Sequence, residues 1–140
     1  MNTVISIPSL KGFLKTSESL RRVAESALLC LNQKNKTLDL YLVTDAEMAR
    51  LNWVYRKKKG PTDVLSFESH SFLRGDVSNY LGELYLAPRA AVRKRKSLSL
   101  LTIHGVLHLL GYTHGRVRDT IEMEKKEDEI LAYVEHHYRT

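Results

Sequence analysis

The sequence is poor in the features that would make it secreted, membrane-bound or nucleotide-binding. It has one cysteine, three prolines and one tryptophan among 140 residues. A lone Cys30 forms no intramolecular disulfide, so nothing points to an oxidising compartment, and this residue is expected on the core side of a helix. No apolar run reaches the ~18 residues of a membrane span, and Met1-Asn2-Thr3-Val4 lacks the basic start and long apolar stretch of a secretory leader. A soluble, cytoplasmic protein without a membrane partner is the expectation. No glycine-rich phosphate loop follows a strand, which disfavours a Rossmann arrangement and a nucleotide cofactor. Internal repeats and low-complexity segments are absent too. Acidic residues are the minority, 16 against 22 Lys and Arg, and the net charge of +6 favours polyanionic partners without naming one.

What is present suits one globular domain over residues 1–140. Hydrophobic residues make up 43% and are spread along the chain, enough for a core at this length. Thr3 to Ile7 reads as a strand stopped by Pro8. From Ser17 to Asn32, Leu20, Val23, Ala24, Ala27, Leu28 and Leu31 recur at helical spacing, and Leu38 to Val43 then alternates as a strand. Thr44 with Glu47 forms a capping box that opens a helix through Tyr55, ending in Arg56-Lys57-Lys58-Lys59 and the Gly60-Pro61 turn. Val64 to Phe67 is a short strand suited to an edge, His70 to Tyr80 a loop, and Gly82 to Leu86 a second strand of a hairpin-like pair. Pro88 suits the first position of a helix running to about Lys96, and Leu98 to Leu110 is apolar nearly all round, as in a helix buried in the core. Arg116 to Thr120 reads as a polar connection. Met123, Glu127, Ile130, Leu131, Val134 and Tyr138 then trace a final amphipathic helix. The fold class expected is α+β: a single mixed sheet of about four strands packed with about five helices.

The chemistry concentrates between His104 and His114, which hold three of the six histidines. On a helix His104 and His108 leave the same face one turn apart. Gly111 can end that helix in a left-handed conformation and return a later side chain, His114, toward the first two. Three imidazoles with one position left to water make the usual catalytic zinc site, placed here at the end of the central helix. Two histidines at this spacing are commonly one buried and one surface residue. The third, in an apolar run ill-suited to burying imidazoles, favours the metal reading.

The spacing matches the zinc proteases of pattern H-E-x-x-H-x-x-G-x-x-H except at one letter. Gly105 stands where those enzymes carry the glutamate that serves as general base. A zinc peptidase is therefore the weakest functional reading. A phosphodiester suits the site better, because RNA carries its own nucleophile in the 2′-hydroxyl, although attack by water remains an equal alternative.

Four segments together resemble the YbeY family: Leu51-Asn52-Trp53-Val54-Tyr55-Arg56, Pro61-Thr62-Asp63-Val64-Leu65-Ser66-Phe67, Leu81-Gly82-Glu83-Leu84, and His104 through His114. The resemblance implies a bacterial metal-dependent, single-strand-specific endoribonuclease of ribosomal RNA maturation and ribosome quality control. It further implies that His104, His108 and His114 bind one Zn2+, that Arg56 faces the same cleft, and that ribosomal RNA and the small ribosomal subunit are partners. In one position the sequence departs from the family, which usually has aspartate before the third histidine; here that residue is Thr113. The alternative from another class is a ribosome-associated RNA-binding protein in which zinc only staples the fold.

Arg56 is the candidate catalytic cation, since a planar guanidinium grips phosphate through two hydrogen bonds; its bland reading is a surface arginine at a helix C-terminus. Lys57, Lys58 and Lys59 are candidate RNA contacts beside it. The second basic run, Arg93 to Lys96, is a weaker one, because charge runs are commonly solvated faces. His70, His136 and His137 are assigned to a loop and a solvated tail. Asp63 and Glu83 are carboxylates that either orient a ligand histidine or sit at a turn and a strand end.

Overall fold

The computed structural model describes residues 2–8, 11–69, 79–113 and 115–138. Four strands and five helices follow in the order β1 (Thr3–Pro8), α1 (Leu14–Cys30), β2 (Thr37–Leu42), α2 (Asp45–Arg56), β3 (Val64–Glu68), β4 (Tyr80–Leu86), α3 (Pro88–Arg93), α4 (Leu98–Leu109) and α5 (Val117–Tyr138). The sheet order is β1-β2-β4-β3, with β1 parallel to β2, β2 parallel to β4, and β3 antiparallel to β4 at the edge. This is the α+β fold expected, and the edge position of β3 was legible from its brevity.

Alternation along the strands decides which face each helix covers. Leu38, Leu40 and Leu42 of β2 and Leu84 and Leu86 of β4 are fully buried and pack with α1, α4 and α5 in the main core. The neighbouring positions put Tyr41, Tyr85, Leu65 and Phe67 on the opposite face, where Met48 and Leu51 of α2 join a second cluster. The sheet is thus a wall with α4 on its leucine side and α2 on its tyrosine side.

The helix ends are set by local chemistry. Thr44 Oγ1 accepts from the Glu47 backbone N–H at 3.1 Å, as the capping box requires. Ser97 Oγ plays the same part for α4, accepting from Leu100 N–H at 3.2 Å. Gly111, at φ +97, ends α4 as expected: Gly111 N–H reaches His108 O and Tyr112 N–H reaches Leu107 O, both at 3.0 Å, the Schellman pattern.

Several boundaries differ from the sequence reading: α1 begins at Leu14, not Ser17, and β1 carries its ladder through Pro8. The helix after Pro88 stops at Arg93, because Arg95 is left-handed at φ +55 and Lys96 N–H bonds back to Ala91 O at 2.9 Å. Residues 117–120 are helical, not a polar connection: α5 starts at Val117, and Thr120 gives both its N–H and its hydroxyl to Arg116 O. Val117 and Ile121 are exposed, so no buried stripe announces this first turn. His136 and His137 lie in α5 and not in a tail; His136 is exposed. The loop assigned to His70 through Tyr80 falls outside the described residues up to position 78, and Tyr80 already belongs to β4. Cys30 ends α1, partly buried against the main core. No helix among the described residues is long and apolar enough to cross a membrane.

Candidate metal centre and the cleft around it

Helix α4 is apolar over most of its surface, and Leu101, Ile103, Val106, Leu107 and Leu109 are buried. His104 and His108 occupy its half-buried side, one turn apart. Their rings meet edge to face at 4.5 Å between centroids, and the two Nε2 atoms are 2.9 Å apart. The Nδ1 of His104 lies 2.7 Å from Oε1 of Glu127, which α5 brings in from the far end of the sequence. An ionised carboxylate only accepts, so this contact places the ring proton of His104 on Nδ1 and leaves an Nε2 lone pair directed at His108. That is the tautomer a metal ligand needs, and a carboxylate behind a ligating imidazole is the usual way of fixing it.

The donor set of the pair, two imidazoles one helical turn apart, is of a kind that zinc takes. Tetrahedral zinc with Zn–N distances of about 2.0–2.1 Å separates its ligand nitrogens by about 3.3 Å, so the two rings, which meet at a hydrogen-bond distance of 2.9 Å, would part by a few tenths of an ångström to share one ion. Among the described residues no group of three or more His, Cys, Asp or Glu forms a metal set. His114 lies outside the described residues, so the structure brings together two of the three ligands expected from sequence. Thr113, just before it, is exposed.

Gly105 explains the missing glutamate. A Cβ at this position would collide with Leu84 Cδ1 and come within 3.0 Å of Cδ2 and 3.2 Å of Cγ. Leu84 is fully buried in the sheet, so any larger residue at position 105 requires its side chain to repack. The helix carrying the histidines is thereby pressed onto β4 at the position where a protease base would stand.

Because α4 and α2 cover opposite faces, the cleft they share passes along β3, the strand at the sheet edge. It encloses about 940 Å³ and takes in His104, His108, Arg56, Tyr55, Lys58 and Glu83. Arg56, the last residue of α2, does not cap its own helix. Its Nη2 donates to Ser66 O on β3 at 2.9 Å, and its Cζ stands 5.4 Å from the centroid of the Phe67 ring. One donor and one guanidinium face are committed to the edge strand; the side chain remains exposed on the cleft. This reaches beyond the surface-arginine reading and puts Arg56 and the histidine pair in one cavity.

The lysines divide. Lys57, Lys58 and Lys59 are all exposed, and Lys58 lines the cleft. Left-handed Lys57, at φ +57, stops α2, and the buried Asn52 ties the following loop back through Nδ2 to Gly60 O at 2.9 Å. In the second run, Arg93 pairs with Asp45 at 2.6 Å and Lys96 with Asp63 at 3.3 Å, so two of its four charges brace the fold.

The two motif carboxylates each have a partner of their own, and Glu83 also lines the cleft. Asp63 is buried under Lys96, and its carbonyl accepts from Ala87 N–H at 2.9 Å. Glu83 Oε2 accepts from Tyr85 Oη at 2.6 Å. Burial first, and then this carboxylate, push the Tyr85 hydroxyl well above the ordinary tyrosine range, so it stays a donor. The carboxylate that meets a histidine, Glu127, was read from sequence only as part of a helix stripe. Its signal was there: a charged residue between Met123 and Ile130 on an apolar face calls for a buried partner.

Comparison with known proteins follows the same lines. The sequence model of the family described as Endoribonuclease YbeY matches residues 11–135. Endoribonuclease YbeY of Parvibaculum lavamentivorans is 39% identical, the match covering 83% of this chain and 72% of that one. The same-named protein of Aquifex aeolicus is 36% identical over 84% of this chain and 80% of its own. A Thermotoga maritima protein solved in solution superposes with a TM-score of 0.61 at 26% identity, covering 99% of this chain and 92% of that one. The chain belongs to the YbeY family.

Proposed function

We propose that this protein is a zinc-dependent, single-strand-specific endoribonuclease that acts in ribosomal RNA maturation and ribosome quality control, with the small ribosomal subunit as partner. The observation that carries the reading is the pair of facing Nε2 atoms of His104 and His108, 2.9 Å apart, in the cleft that also holds Arg56. Membership in a family named for endoribonuclease activity supports it.

His104, His108 and His114 would hold the ion. Bound there, Zn2+ would supply a Lewis acid for a phosphoryl oxygen and for water. Glu127 holds His104 in the ligating tautomer through Nδ1. Arg56, pre-set by Ser66 O and Phe67, offers its remaining N–H groups to a phosphate, and a guanidinium held in place before substrate arrives spends less entropy on gripping it. Lys58 adds positive charge along the same wall. The leucine packed under Gly105 crowds the position of a protease-type base, which counts against the peptidase reading.

The test is metal content together with cleavage of an end-labelled structured RNA, with casein as the peptide control. Zinc-loaded protein should cut the RNA in unpaired segments and leave casein intact. His108→Ala should lose both zinc and cutting. RNA cleavage unchanged in that variant would trace the activity to a contaminating nuclease, and a zinc-bearing protein that binds RNA without cutting it would favour the structural-zinc reading.

A further inference from the structure

Tyr55 is an aromatic residue the proposed chemistry does not use, yet it stands in the cleft. It is 62% exposed, on the stretch of α2 where Trp53 and Val54 are exposed as well. The ring leans on Phe67 at 5.1 Å and 58°, and Arg56 lies over that same Phe67. Phe67 therefore buttresses a cation and an exposed ring side by side.

We infer that Tyr55 is a stacking platform for an unpaired nucleobase, which sets the nucleotide whose phosphate Arg56 grips. This rests on the endoribonuclease reading and names the part of the substrate that the site would recognise. The charge around the ring selects the occupant. Arg56 and Lys58 line the cleft beside it and suit a polyanionic backbone, while the base offers a flat π-face to the ring. A duplex has its bases stacked on one another and presents no open face, so such a platform favours a single strand.

The same aromatics continue the other way, from Phe67 to Tyr85 at 5.7 Å and on to Tyr41 at 4.8 Å. That direction does not suit a phosphate chain. Glu83 accepts from Tyr85 and Asp39 from Tyr80, so carboxylates accompany the rings there. The strand therefore enters over Tyr55, on the lysine side.

The control is built into the helix. Trp53, 52% exposed on the same turn of α2, is not among the residues lining the cleft. It is larger and nearly as exposed, so a general stickiness of exposed rings would give it an effect at least as great.

The experiment measures binding by fluorescence anisotropy with the zinc-loaded protein. The probes are a fluorescein-labelled 2′-O-methyl oligouridylate, which lacks the internal nucleophile, and a labelled chain of the same length with abasic 2′-O-methyl riboses. Tyr55→Ala should weaken oligouridylate binding about tenfold, while Tyr55→Phe and Trp53→Ala stay within about twofold of the parent, as expected when a ring face carries the contact. On the abasic chain all four proteins should bind alike. Tyr55→Ala binding oligouridylate as the parent does, or losing as much on the abasic chain, would overturn the platform. The two readings fail separately: a parent that binds oligouridylate with the Tyr55 contrast but cuts no RNA removes the enzyme and keeps the platform. A parent that cuts RNA while Tyr55→Ala binds undiminished removes the platform alone.

Discussion

The two walls of the cleft are built in opposite ways. On the α4 side the histidines stand on a helix buried in the main core, its backbone so close to Leu84 that a Cβ at position 105 would displace the leucine side chain. On the α2 side, Trp53, Val54, Tyr55, Arg56 and the three lysines are all exposed, and what fixes them is local: a left-handed Lys57, the Asn52 amide and one carbonyl of the edge strand. Ligand atoms tolerate errors of tenths of an ångström, which dense packing supplies. A substrate wall must meet long, varied polymers, and exposed cations on a short tether serve that better. Precision is taken from the core and adaptability from the surface.

That contrast can be broken by making each wall behave like the other. Gly105→Glu should be the most damaging change, lowering stability in urea by about 3 kcal/mol or more, since it overpacks the helix–sheet contact and buries a charge. A folded Gly105→Glu protein of unchanged stability would show that the packing is looser than the Leu84 contact implies. Glu127→Gln should weaken zinc binding about 10- to 100-fold in competition with a chelator, because an amide orients the imidazole without the charge. Equal affinity would reduce Glu127 to a packing residue.

On the other wall the effects should be smaller and should spare the metal. Arg56→Lys should slow RNA cleavage about tenfold or more with zinc content intact, as expected when a planar fork is exchanged for a point charge. Loss of zinc in that variant would join two walls that the structure keeps apart. Thr44→Ala should cost about 1 kcal/mol through its lost cap and leave zinc affinity unaltered.

Sequence and structure agree where the information is local. The Thr44 cap, the Gly111 turn and the leucine alternation of β2 are each written within a few residues, and each appears in place. The sheet order is not local: β4 inserts between β2 and β3, and no short pattern states which neighbour a strand takes. Glu127 was missed for the same reason, its partner being 23 positions away, even though its place on an apolar stripe was visible. Asp63 and Glu83 lie in the motif segments and looked functional by proximity; burial under Lys96 and pairing with Tyr85 give them structural partners instead. Gly105 was read as a lost catalytic base, and only the tertiary contact shows what the glycine is for.

The central claim is that α4 and the turn after it hold one zinc ion through His104, His108 and His114. X-ray absorption at the zinc edge, on purified protein with a measured zinc content, tests it most directly. The account predicts one zinc per chain with three imidazole nitrogens at about 2.0–2.1 Å, falling to a disordered or empty site in His108→Ala. A zinc shell without imidazole scattering, or one that His108→Ala leaves unchanged, would contradict it.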